Sequence, residues 1–436
     1  MLRHLFFILS MVAVLSACST DYSDNDILAG TQRIGYSLTL PASQQQCVCP
    51  LRERSPWQVA RTAGEGLRLS AMRGEADDPL VVDFDAKAEG TATIEVRHAT
   101  GTTETVSIVR TAEGEAVTLR VLQFNVWQEG TMVDGGYEAI VGEIARLQPD
   151  FVTLSEVRNY SGTDFTARLV KSLEKFGLRY TSSRSDDTGL LSRHGMVAFS
   201  NVTDDNGTVN KLVTTVAGRR IAVYTAHLDY THYACYYPRG YDGTSWAKLD
   251  APVTDIDAIQ KMNLASLRDE EIAAFIADAD VERERGTLVL LGGDFNEPSH
   301  LDWTYDTRQL YDHHGVVYNW DTSMALQNAG YVDSYRHLFP SAVTHPGFTY
   351  PSDNLKASVS KLSWAPEADE RERIDFIYYG PDVRWTATSA AIVGPRGSIV
   401  RGQRVTEQTD DTFITPQATW PSDHKALLIE MTIARE

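Results

Sequence analysis

The chain has 436 residues, enough for two domains, and its 42% hydrophobic and 23% charged content is that of a globular protein. Fifty-nine acidic residues against 40 Lys and Arg give a formal charge of -19. That is the wrong sign for a protein that grips duplex nucleic acid, whose affinity comes largely from neutralised phosphates, although a local basic groove would escape this count.

Met1-Leu2-Arg3-His4 is a short basic start, and Leu5 to Ala17 is a nearly unbroken apolar run. The run is too short to span a bilayer and suits an export signal. It ends in Leu15-Ser16-Ala17-Cys18, which resembles the lipobox of bacterial lipoproteins. The resemblance implies a signal peptide over 1–17, lipidation at Cys18 and a polar tether over 18–32. Ser19 and the acidic "DYSDND" behind it resemble sorting signals for the outer membrane and cell surface. The expectation is therefore an outer-membrane lipoprotein, on the surface or facing the periplasm, that touches the membrane by its lipid anchor alone. Cys47, Cys49 and Cys235 remain, an odd number for an oxidising compartment. The first two flank a single residue, poor spacing for a mutual bridge, and they lack the partners a metal site needs.

Over 33–116 the texture is that of a small β domain. "GLRLSA", "LVVDFDA", "TATIEVRHA" and "ETVSIVRTA" alternate partly between apolar and polar residues and are separated by Gly, Asp and Thr turns. No set of His, Cys or Asp converges there. The segment resembles the immunoglobulin-like modules at the front of surface lipoproteins, and a spacer role is expected.

The texture changes at Val117. "VTLRVLQFNVW" reads as a strand with Asn125 near its end, and Tyr137, Ile140, Val141, Ile144 and Leu147 then form a helical stripe closed by Pro149. "FVTLSEV" is a strand with Glu156 near its end, and Phe165, Leu169, Leu173 and Phe176 mark a second helix. "HGMVAFS", "KLVTTVA" and "RRIAVYTAHLD" follow as strands. After the aromatic segment 230–249, one helix is expected to carry Ile256, Ile259, Leu264, Leu267, Ile272, Phe275 and Ile276. "TLVLLGGDFN" is a central strand, a helix near 322–328 comes next, and "RIDFIYYG", 386–393 and "HKALLIEMTI" are strands. The predicted class is α+β. Two sheets pack face to face with helices outside, a four-layer α/β/β/α sandwich over 117–436 behind a small all-β domain.

Five strands deliver a polar residue at or near one end: Asn125, Glu156, His227, Asp294 with Asn296, and Asp423-His424 ahead of the last strand. Asp375 sits inside a sixth, where an unpaired carboxylate would be costly. Any one of these residues has ordinary structural explanations. Together, "FNVW", "LSEV", "AHLD", "GGDFN", "RIDFIYY" and "SDH", in that order, resemble the endonuclease/exonuclease/phosphatase superfamily with its deoxyribonuclease-I-like fold. The resemblance implies a phosphoester hydrolase. Glu156 would be the principal metal carboxylate, with Asn125 beside the metal and Asp423 a further metal carboxylate, either behind the ligands or at a second metal site. His227 would bind the scissile phosphate. Asp294 and Asn296 would position water or steady the transition state, and Asp375 would orient the terminal histidine, His424. Hard oxygen ligands suit Mg²⁺, with Mn²⁺ as the alternative. Either Asp294 or the Asp375–His424 pair could take the proton of water.

Specificity must come from loops. In "HLDYTHYACYYPRGYDGTSW", Tyr230, Tyr233, Tyr236, Tyr237 and Trp246 are expected to offer apolar faces to a sugar or base, and Arg239 to hold an anion. Trp303 joins them from the loop after Asn296, whose adjacent His313 and His314 read as a wet structural pair. Segment 344–354 is a further candidate rim. The expected substrate is a small or glycan-linked phosphoester, cleaved as a diester beside a sugar, by a monomeric enzyme. An extracellular nuclease and a glycan-binding platform are the competing readings.

Overall fold

The structure is a computed structural model, and it describes residues 33–41, 46–49, 51, 53, 55–76, 78, 80–85, 90–111, 116–203 and 207–433. The expected signal peptide, Cys18 and the tether lie outside the described residues. The chain divides into two compact units at 113/114.

The smaller unit holds β1 (Arg33–Pro41), β2 (Gln46–Cys49), β3 (Trp57–Ala63), β4 (Leu67–Leu69), β5 (Arg73–Gly74), β6 (Leu80–Phe84), β7 (Gly90–His98) and β8 (Thr103–Thr111). They form sheets in the orders β1-β8-β7-β3-β5 and β2-β6-β4. Alternation in β6 and β7 buries Leu80, Val82, Phe84, Ile94 and Val96 in a core shared with Trp57, Val106 and Ile108. Where the sequence promised no converging polar set, His98 Nε2 and Glu104 Oε2 form a buried pair at 3.0 Å.

The larger unit contains β9 (Val117–Asn125), α1 (Gly136–Leu147), β10 (Phe151–Val157), α2 (Phe165–Glu174), β11 (Thr181–Ser182), β12 (Asp187–Ser192), β13 (Ala198–Asn201), β14 (Val209–Val216) and β15 (Arg219–His227). After them come α3 (Ile256–Asn263), α4 (Arg268–Glu284), β16 (Leu288–Asp294), α5 (Asp321–Asn328), β17 (Val332–Asp333), α6 (Ser334–Leu338) and α7 (Val359–Leu362). The chain ends with β18 (Asp375–Tyr379), β19 (Trp385–Val393), the hairpin β20 (Gly397–Val400) and β21 (Gln403–Thr406), β22 (Phe413–Ile414) and β23 (Ala426–Ile433).

A seven-stranded sheet runs β11-β12-β10-β9-β23-β19-β22, and a six-stranded one runs β13-β14-β15-β16-β18-β17. Strand alternation sorts the apolar residues into three layers. Val121, Phe151, Leu427 and Ile429 of the first sheet meet Leu212, Val223, Leu290 and Ile377 of the second. Leu122, Phe124 and Leu154 point the other way, onto Ile140 and Ile144 of α1 and Leu169 of α2. Ala222, Val289 and Leu291 pack outward on Ile272 and Phe275 of α4 and Leu326 of α5. The four-layer α/β/β/α sandwich is thus present.

Three local expectations need correction. The single helix over 256–276 is two, α3 and α4, and Ile256, Leu264 and Leu267 are exposed. Ile259 and Met262 instead pack on the aromatic loop, whereas Ile272 and Phe275 pack on the sheet. One straight helix would not serve both. Of "HGMVAFS", only its last three residues are strand, as the start of β13. The preceding "DTGLLS" is the strand β12, its Asp, Thr and Gly notwithstanding, because it fills the place beside β10. Phe176 lies beyond α2 and is exposed.

Candidate active site

The two sheets bring their polar strand ends together. Asn125 on β9 pairs with Ser155 on the parallel neighbour β10. Across the second sheet, His227 stands opposite Asp294, and Asp294 opposite Asp375, on three adjacent strands. β23 runs antiparallel to β9, so the turn ahead of it returns to the same end. Trp420 anchors that turn by stacking on Phe124 at 5.1 Å, and Ser422 Oγ donates to the Asn125 carbonyl at 2.7 Å. Asp423 and His424 are thereby fixed over the strand ends.

Close approach of the sheets is built in at Gly292, where a Cβ would lie 2.3 Å from Thr153 Oγ1 on the facing sheet. Beside it runs a polar bridge that no motif flags. Gln123 Nε2 donates to Ser155 Oγ at 3.1 Å and to Asp375 Oδ1 at 3.2 Å, while Thr153 Oγ1 donates to Gln123 Oε1 at 2.6 Å. Ser155 Oγ accepts from the Asp294 N–H at 3.2 Å. Buried polar groups need such partners, and these tie Asp375 and Asp294 of one sheet to the other.

Glu156 owes its aim to a register shift between Ser155 and Val157 against β12, with φ 67° at Glu156 itself. Bulges beside active sites commonly re-aim a side chain, and a non-glycine residue in this region is strained. Asn125 Nδ2 donates to Glu156 Oε1 at 3.2 Å and to Asp294 Oδ2 at 2.9 Å, so it draws two carboxylates together. Gln128 N donates to Glu156 Oε2 at 2.9 Å. Asn296, also left-handed at φ 50°, is held by Tyr233 Oη, which donates to its Oδ1, and by the Leu228 carbonyl, 2.8 Å from its Nδ2.

Each histidine is backed by a carboxylate. His424 Nδ1 lies 2.9 Å from Asp375 Oδ2, and His227 Nδ1 lies 2.9 Å from Asp187 Oδ2. In both rings Nε2 is left for the cleft. Burial would lower both imidazoles, but Asp375 and Asp294 hold His424 up at about 10, and Asp187 holds His227 up at about 9. Asp187, paired on its other oxygen with Arg158, carries no motif in the sequence. Asp187→Asn should cost about 10–100-fold in kcat/KM at unchanged stability, as loss of such a backing carboxylate typically does. Steady-state kinetics with thermal denaturation checks this, and an unaffected rate would remove Asp187 from the site.

The metal-ligating potential can be read from which oxygens are already taken. Asp294, Asp375 and His424 offer atoms within 4.8 Å of one another. Both Asp375 oxygens, however, are occupied by Gln123 and His424. Asp423 differs: its Oδ1 is buried and has no hydrogen-bond partner among the described residues. Burial first, then the charges of Glu156 and Asp294 against the pull of His424, push its carboxyl up to about 7. An orphaned oxygen among like charges is what a divalent cation would satisfy. Asp423 therefore fits a hard cation, and Glu156, which lines the same cleft, can join it through the lone pairs its two accepted bonds leave. Asn125, whose Oδ1 already accepts from Trp127 N at 2.9 Å, stands beside them as the amide that holds Glu156 and Asp294, and the three-residue cluster fits a hydrogen-bonded relay.

The resulting cleft, about 550 Å³, is lined by Glu156, His227, Asp294, Asn296, Asp423 and His424. Tyr230, Tyr233, Tyr236 and Trp246 also line it, as do Trp127, Tyr350 and Trp364. Tyr350 comes from the expected rim over 344–354; Trp364 carried no motif. Three expected wall residues lie elsewhere. Arg239 is fully buried, bound to Glu372 Oε1 at 2.7 Å and to the Asp369 carbonyl at 2.8 Å, so it clamps loops and is not available to an anion. Trp303 is wholly buried, donates to Glu372 Oε1 at 3.0 Å and stacks on His313 at 3.7 Å. Tyr237 packs into the loop's own core. Consequently His313 is dry and only His314 is exposed.

Comparison with known proteins agrees on family. The profile of the Endonuclease/Exonuclease/phosphatase family matches residues 122–424. An uncharacterized protein of Caenorhabditis elegans is 26% identical over 315 residues, 72% of this chain and 91% of that protein. Similar solved structures include an AP endonuclease from Archaeoglobus fulgidus, at 15% identity and TM-score 0.40, covering 71% of this chain and 98% of that one. A family protein from Bacteroides thetaiotaomicron is 12% identical with TM-score 0.39, covering 73% and 99%.

Proposed function

The chain belongs to the endonuclease/exonuclease/phosphatase family, and from that premise we propose that it is a divalent-metal-dependent phosphodiesterase acting on a small or glycan-linked phosphoester. The observation that carries this reading is the pair of carboxylate-backed imidazoles facing one cleft with the unsatisfied Asp423. Glu156 and Asp423, with Asn125 beside them, would hold Mg²⁺ or Mn²⁺, which when bound supplies Lewis-acid polarisation of a phosphoryl oxygen and charge stabilisation at the leaving oxygen. His227 and His424 present Nε2 to the phosphate's non-bridging oxygens. Asp375 and Asp187 keep those rings oriented as donors, so the growing negative charge meets preorganised partners. Asn296 and Asp294 orient the attacking water, whose proton is received at the Asp294 carboxylate, 3.8 Å from His424 Nε2.

The lipobox resemblance and acidic tether support export as a lipoprotein, with the β-rich front unit, immunoglobulin-like in its sequence texture, as a spacer. The test uses the full chain. Release of 4-nitrophenol from bis(4-nitrophenyl) phosphate should require added Mg²⁺ or Mn²⁺ and stop on chelation, while plasmid and RNA remain intact. Cys18→Ser should leave the membrane fraction. Activity indifferent to chelation, or rapid plasmid nicking, would overturn the catalytic reading, and unchanged membrane fractionation would overturn the anchor.

A further inference from the structure

The cleft's aromatic wall is more organised than a loop packing on itself requires. Trp246 stacks with Trp364 at 5.1 Å and 25°, and meets Tyr236 edge-on at 4.9 Å and Tyr233 at 5.4 Å. Tyr233 in turn donates to Asn296, so the cluster begins one side chain from the reacting centre. Trp364 is 52% exposed, a large apolar surface left on the cleft rim.

Two devices hold this wall in place. Trp246 is kept in the left-handed region at φ 60°, unusual for a bulky side chain. The turn behind it is fixed by Asp242 Oδ1, which accepts from Thr244 N at 3.1 Å, Ser245 N at 2.7 Å and Ser245 Oγ at 2.8 Å. Glu370, buried, joins the two loops: its Oε2 accepts from Tyr236 Oη at 3.0 Å, Trp364 N at 3.1 Å and Ala365 N at 3.0 Å. Strain and a buried carboxylate together set out two indoles at the rim of a catalytic cleft.

The charges say what such a surface would hold. Glu156, Asp294, Glu372 and Asp423 line the cleft against His227, His424, Arg158 and Lys361; the two imidazoles face the one scissile phosphate, and Arg158 is already paired with Asp187. With a cation bound, that balance accommodates one phosphoester, and the cleft lining offers no cationic track for further phosphates among the described residues. We propose that Trp246 and Trp364 form a specificity subsite for a single uncharged ring, a nucleoside base or a sugar, carried on one ester arm of the substrate. The subsite rests on the phosphodiesterase reading for its substrate and on the aromatic geometry for its selectivity.

The full chain, with Mg²⁺, is assayed by mass spectrometry on three methyl phosphodiesters, of thymidine, of glucose and of acyclic glycerol, and on oligothymidylate. At least one ring-bearing diester should exceed the glycerol diester in kcat/KM by about 10-fold or more, the scale of one stacking contact. Trp364→Ala and Trp246→Ala should collapse that ratio through KM, and Trp364→Phe should restore most of it. The ring whose advantage disappears names the source. A ratio near one, a ratio that survives both alanine substitutions, or efficient cleavage of oligothymidylate would overturn the subsite. Calorimetric titration with thymidine 5'-phosphate and glucose 6-phosphate reads the subsite independently of turnover. Binding by the wild type that is lost in Trp364→Ala, with none of the diesters cleaved, would condemn the phosphodiesterase reading and retain the subsite; binding of neither ring would sink the subsite.

Discussion

Glu156→Gln should fold normally and lose at least about 100-fold in turnover at limiting Mg²⁺, with part of the loss recovered at high Mg²⁺. Removing even an outer partner of a metal ligand costs about 10–100-fold, and this change neutralises a carboxylate that the structure offers directly to the cleft. The amide is also badly matched locally. Glu156 Oε1 accepts from Asn125 Nδ2 and its Oε2 from Gln128 N. A glutamine has one oxygen for those two donors, so an NH₂ must face one of them. Turned to Asn125, the NH₂ frees that amide from one of its two carboxylates, Asp294 being the other; turned to Gln128 N, it opposes a backbone donor. Initial rates over a Mg²⁺ titration, with circular dichroism as the folding control, decide the matter. A mutant with wild-type rate and the same half-saturating Mg²⁺ would remove Glu156 from the metal site.

How much of this could be read in the sequence depends on where each signal lay. Strand ends were legible because an apolar run that stops on Asn125, Glu156 or Asp294 breaks its own pattern, and the face-to-face sheets follow from strands with helices between them. The residues that hold the site were not. Gln123, Thr153 and Ser155 occupy buried strand positions where any small polar residue looks incidental until the opposite sheet is in place. Asp187 opens "DTGLLS", whose polar first half gives no strand signal and which only its pairing with β10 makes a strand. Arg239 shows the converse failure. An arginine among tyrosines suggests an anion clamp, but its partner Glu372 lies 133 residues on, and only folding shows that the charge is already spent. The α3–α4 break was invisible for a similar reason, since its apolar residues serve two different neighbours.

His424→Ala should lower kcat by about 10²–10³, roughly 3–4 kcal/mol, with little change in substrate binding, because the ring acts on charge that grows in the transition state. Asp375→Asn should fall in the same direction but less far, and the structure says why it will not be silent. Asp375 Oδ1 accepts from Gln123 Nε2 and its Oδ2 faces His424 Nδ1. Gln123 cannot readily turn, because Thr153 Oγ1 donates to its Oε1. The asparagine must therefore give its one oxygen to Gln123 and its NH₂ to His424, or leave Gln123 Nε2 with Ser155 Oγ as its one remaining acceptor and a buried N–H facing an NH₂. In the first arrangement His424 Nδ1 becomes an acceptor and the ring neutral, still a donor through Nε2 but a weaker one. Residues acting as one unit do not add, so the double mutant should be scarcely slower than His424→Ala alone, with a coupling of about 0.5–3 kcal/mol. Rates of all four proteins on one diester, each checked for folding, test this. Strictly additive losses would mean that Asp375 does not act through His424 and that its place between the sheets, bonded to Gln123, is its whole contribution.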